Sequence, residues 1–80
     1  MRYELFTQVA LARDIPDKAL LAGDVATIVE HHPRVDHEDG YTLEVFDALG
    51  HTLAIVTVAV SDIEPLRSGE VLSVRQLAAA

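Results

Sequence analysis

The chain contains no cysteine and no tryptophan, and only Tyr3, Phe6, Tyr41 and Phe46 are aromatic among its 80 residues. Without cysteine there is no disulfide framework. A domain this short must be held by a compact sheet core, with self-association or a partner as the other source of stability. The few aromatics are too scattered for a base-stacking platform, and core packing or a protein contact explains each better. Basic residues are scarce as well. Arg2, Arg13, Lys18, Arg34, Arg67 and Arg75 face thirteen acidic residues, for a formal net charge of −7. They form no stripe, and because phosphate neutralisation supplies much of nucleic-acid affinity, no nucleic-acid ligand is expected. An acidic surface instead suits solubility or a basic protein partner. The longest nearly apolar run, Leu53 to Val60, is too short to cross a bilayer as a helix. The Met-Arg-Tyr-Glu start lacks the apolar stretch of a secretory signal, so a cytoplasmic protein without membrane contact is expected.

Catalytic signatures are missing too. Ser61, Ser68 and Ser73 sit in no nucleophile-elbow pattern, and Gly23, Gly40 and Gly50 belong to no glycine-rich cluster with a following lysine. Asp24, Asp47 and Asp62 each have a turn role that explains them. No enzyme activity, cofactor or small-molecule substrate is therefore expected. The sharpest chemical feature is the run from His31 to Asp39, with imidazoles at His31, His32 and His37 and carboxylates at Asp36, Glu38 and Asp39. Imidazole with carboxylate suits Zn²⁺ or Ni²⁺, but the spacing matches no specific ligand pattern, and adjacent histidines leaving a strand point to opposite sides. The expectation is an exposed polar loop that needs no metal to fold.

What is present is strand patterning. Val9 and Leu11 alternate with Gln8, Ala10 and Ala12, which predicts a strand over 7–13. Pro16 and Gly23 frame a long folded loop expected to be pinned by Leu20 and Leu21. Gly23-Asp24-Val25 then leads into a second strand over 24–31, where a bulge near Ala26 would bring Val25 and Ile28 inward together. Tyr41, Leu43 and Val45 predict the inward face of a third strand over 41–47. Asp47-Ala48-Leu49-Gly50 joins it as a hairpin turn to a fourth over 51–60. That fourth strand is apolar on both faces, so one face belongs to the core and the other needs cover. Ser61 to Leu66 reads as a tight helical turn with Ser61 as its cap, before a short last strand over 65–67. The tail carries Val71, Leu72, Val74 and Leu77 in a pattern neither helical nor extended, and these are the residues available to cover Leu53 and Ile55. Apart from the terminal alanines there is no low-complexity segment.

The layout of a strand, a long loop, a Gly-Asp-Val lead into the next strand, a meander and a helical turn before the last strand resembles SH3-like barrels. Leu20-Leu21-Ala22-Gly23-Asp24-Val25, the Tyr41 to Asp47 strand, Leu53 to Val58 and Asp62-Ile63-Glu64-Pro65 further resemble a family of small bacterial proteins of unknown function. That resemblance spans roughly Glu4 to Leu66. It implies an all-β, five-stranded SH3-like barrel over 1–66, with no catalytic residues to transfer and a C-terminal tail over 67–80. Ala26 stands where such strands commonly carry glycine. The function expected is a protein-interaction module using Leu53, Ile55, Val71, Leu72, Val74 and Leu77 to bind itself, as in a homodimer, or a larger protein. Its sharper form is an accessory or antidote protein of the antitoxin or immunity kind that neutralises a basic partner. The alternative is a nucleic-acid- or ribosome-associated SH3-like module, which the charge opposes.

Overall fold

The structure, a computed structural model, describes residues 2–77. The alanines at 78–80 and the first residue of the start sequence lie outside the described residues. Five strands are present: β1 (Gln8–Leu11), β2 (Val25–His32), β3 (Gly40–Phe46), β4 (Thr52–Ala59) and β5 (Ile63–Pro65). All strand pairings are antiparallel, in one sheet of order β4-β3-β2-β1-β5. Apart from the strands, the described residues form only short 3-10 turns, Pro16–Lys18 and Val60–Asp62. The protein is all-β.

The order puts β4 and β5 at opposite edges, yet only the three residues Val60–Asp62 connect them. At about 2 Å per residue that turn reaches roughly 6 Å. Edges of a flat five-stranded sheet would lie about 19 Å apart. The sheet therefore curls until its edges meet at this end. Val58 of β4 and Ile63 of β5 accordingly share one buried cluster with Val9, Leu11, Ala26, Ile28, Tyr41, Leu43 and Val45.

Alternation does what the sequence predicts in β3, where Tyr41, Leu43 and Val45 are buried. Elsewhere the structure corrects the expectation. β1 is shorter, because only Gln8, Val9 and Ala10 pair with β2 and only Val9, Ala10 and Leu11 with β5. The loop before β2 is pinned by Ile15 and Leu20, which are buried and bridge each other, while Leu21 is exposed. The β2 bulge falls between Ile28 and Glu30 rather than at Ala26. Strict alternation thus buries Ala26 with Ile28 and leaves Val25 half-buried. The last strand is Ile63–Pro65, earlier than the predicted 65–67, because the turn ends at Asp62 and Ile63 enters the core opposite Leu11. Ser61 lies inside that turn and does not cap it. The Asp62 carboxylate does, accepting the Ala59 N–H at 3.0 Å.

Candidate interaction surface

His31 and His32 belong to β2, not to the loop that follows it, and successive strand residues face opposite ways. His31 turns inward, stacks on Tyr41 with ring centroids 4.9 Å apart, and meets the Asp39 carboxylate at 2.8 Å. His32 turns outward, where its Nε2 lies 2.7 Å from the Thr42 hydroxyl. His37 is exposed in the loop. The histidines of the run are thereby separated, and no cluster of three or more His, Asp or Glu able to hold a metal occurs among the described residues. Asp39 is held below the usual carboxylate range by its bond to His31, reinforced by the Arg34 N–H.

The outer face of β2, β3 and β4 is built differently. Register places Thr27, Glu44 and Ile55 in one cross-strand row, and Glu30, Thr42 and Thr57 in the next. Thr42 and Thr57 share a hydrogen bond at 2.9 Å, and Glu44 accepts the Thr52 hydroxyl. Inward-facing Ala54, Val56 and Val58 of β4 pack on the core, whereas Leu53 and Ile55 are 42% and 57% exposed. Phe46 and Leu49, at the adjoining hairpin, are exposed as well. No lysine or arginine falls in any strand. Arg13, Arg67 and Arg75 are paired instead with Asp62, Glu64 and Asp24 away from this face. The result is a sheet face with apolar and acidic side chains and no lysine or arginine, on which His32 lies 3.8 Å from the Glu30 carboxylate.

The tail lies across the end of the sheet formed by the start of β2 and the β3–β4 hairpin. Leu53, Val71, Leu72, Val74 and Leu77 line one open groove of about 1000 Å³, while Ile55 stands outside it. Leu77 packs against the core, but Val71, Leu72 and Val74 remain exposed. What anchors the tail is Arg75, whose guanidinium meets both Asp24 oxygens and the Ala19 carbonyl. The same Asp24 accepts the Leu21 N–H at 2.8 Å and so closes the turn that leads into β2. Burial pushes the Asp24 carboxyl up, but Arg75 and the Leu21 N–H outweigh it and hold the group below its ordinary value. Residues 51 apart in sequence make this pair, and no local pattern announces it. Glu44 and Phe46, by contrast, were legible as outward residues from the alternation of β3, though the pairing of Glu44 with Ile55 was not.

The part of the chain that forms this curled sheet also matches a known family, over residues 5–65. The chain belongs to DUF4926, a domain of unknown function. The DUF4926 match ends on β5, so the tail with Arg75 and Leu77 lies beyond the matched residues. Neither the curated proteins nor the solved structures contain a match. No helix among the described residues is long and apolar enough to cross a membrane.

Proposed function

We propose that the chain is a non-catalytic, cytoplasmic protein-interaction module, an SH3-like barrel that binds a larger basic protein as an accessory or antidote protein would. Support for the barrel comes from the sheet order and from the 3-10 turn before the last strand. One observation carries the binding reading: exposed Ile55 stands directly opposite Glu44, with Leu53 on the same strand and Glu30 in the next cross-strand row, on a face without lysine or arginine. Apolar contact supplies affinity there, and the carboxylates select a cationic partner and reject acidic ones.

The test is affinity capture from the native host with the wild-type chain, Ile55→Asp and the double variant Glu30→Lys with Glu44→Lys. The wild type is expected to retain a basic protein that is released by salt and lost with either variant. Capture of the same proteins by all forms would overturn the reading. So would submicromolar affinity for RNA or duplex DNA at physiological salt.

A further inference from the structure

The two edges of the sheet differ in a way that bears on how a partner engages it. β5 is three residues long, carries Glu64 and ends in Pro65, which has no N–H to offer. Both features protect an edge from pairing. β4 runs for eight residues, Thr52–Ala59, without a charge or a proline. Exposed strands of that length and composition are templates for another strand unless something covers them.

The register shows which groups are available. Val60 donates its N–H to the Asp39 carbonyl at 2.8 Å, one step beyond the paired residues of β3 and β4. Alternation along an antiparallel ladder then makes Tyr41–Val58 and Leu43–Val56 the hydrogen-bonded pairs. The main-chain N–H and C=O groups of Ile55 and Thr57 consequently point away from β3. No backbone partner meets them among the described residues.

We propose that β4 receives an extended, basic segment of the partner as a sixth strand; the proposal rests on the basic-partner reading above and adds its binding mode. Main-chain bonds to Ile55 and Thr57 supply register, and side chains supply selectivity. Incoming residues opposite Ala54 and Val56 extend the inner apolar row, short of Val58, where the two edges meet. Those opposite Ile55 and Thr57 share the outer face, two strand spacings or about 10 Å from Glu44 on β3. An extended lysine or arginine and the glutamate cover that separation between them. Charge also decides against a second copy as the occupant. Another chain would bring a further net charge of −7 and an uncharged strand, with no cation for Glu44.

A labelled peptide of alternating valine and lysine, titrated into the full chain and followed by fluorescence anisotropy, tests this. Three controls accompany it: the same peptide N-methylated on alternate main-chain nitrogens, its glutamate counterpart, and the Thr57→Pro variant of the chain. The lysine peptide is expected to bind in a salt-sensitive way and the glutamate peptide not to bind. N-methylation should weaken binding by about tenfold or more, as loss of main-chain hydrogen bonds requires. Thr57→Pro should do the same with an unchanged circular dichroism spectrum. If the variant fails to fold, the methylated peptide still decides. Equal binding of methylated and parent peptides would overturn strand addition and leave the basic-partner reading standing. No peptide binding, with host capture still lost in Ile55→Asp, would have the same consequence. No peptide binding together with variant-insensitive capture would overturn both. A dimer mass that Thr57→Pro reduces to the monomer would make a second copy the occupant and refute the proposal.

Discussion

Five of the seven aspartates accept a backbone N–H, so much of the acidic surplus works in the turns. Asp47 shows the principle most fully, with one oxygen taking the N–H groups of both Leu49 and His51 at 2.9 Å across the β3–β4 hairpin. That turn also needs Gly50 at φ +89°, with nothing within 4 Å of where a Cβ would stand. Gly50→Ala should therefore cost about 1 kcal/mol through backbone strain alone, read as a lower urea midpoint with an unchanged slope. Tyr41 is the other residue where one atom matters. Fully buried between His31 and Tyr3, it accepts the Tyr3 N–H on its hydroxyl at 3.0 Å. Tyr41→Phe keeps the packing and should lose about 1 kcal/mol, whereas Leu43→Ala, which opens a cavity at a fully buried position, should lose about 2–5 kcal/mol. Equal losses in the two variants would contradict that division of roles.

At the scale of elements, β4 and the tail are the parts whose role depends on what lies beside them. The tail is joined to the sheet by Arg75 on Asp24 and by Leu77 on the core, while its other apolar residues face outward. Half-burying one leucine contributes about 1 kcal/mol, from which the ordering of the segment must be subtracted. Truncation after Leu66 should accordingly lower the melting temperature by a few degrees and leave the strand content unaltered. Arg75→Ala should reproduce part of the drop. A truncated chain with the wild-type melting temperature and the same mass in solution would show that the tail adds nothing. The connection between β2 and β3 behaves otherwise: positions 33–38 are exposed, and the inward His31 is engaged by Asp39 and Tyr41. Treatment with a chelator should therefore leave the melting curve unmoved. Unfolding on chelation would instead show a metal held by the histidine run.

The molecule as a whole should lose stability in acid. Asp39 and Asp47 are held below the ordinary carboxylate range by His31 and by the His51 N–H respectively, and Asp62 by the Arg13 guanidinium against opposing burial. Asp24 joins them once Arg75 and the Leu21 N–H outweigh its burial. In each case the unfolded chain binds the proton more readily than the native one. The stabilisation from these groups is complete above the unfolded carboxylate pKa and disappears as pH falls through the lowered native values. Urea midpoints should be flat near neutrality and drop below about pH 4, with a shallower drop in Asp62→Asn. A profile unchanged by that substitution would mean the Arg13 pairing contributes nothing.

Strand number, their sequential order and the inward set Tyr41, Leu43 and Val45 were legible in the sequence, because period-two alternation and turn residues are local signals. The Asp47 hairpin was legible for the same reason. The bulge at Val29, the burial of Ile15 in place of Leu21 and the earlier start of β5 were not, since each depends on which strand lies opposite. The candidate surface divides in the same way. Composition alone determined its acidity, and alternation determined that Leu53 and Ile55 share a face. Only the tertiary structure decided that β4 is an open edge, that Glu44 lies opposite Ile55 with Glu30 in the next row, and that Arg75 is joined to Asp24. Pairing across a sheet is settled by the curl of the whole chain around one core, and a local pattern carries no record of distant register.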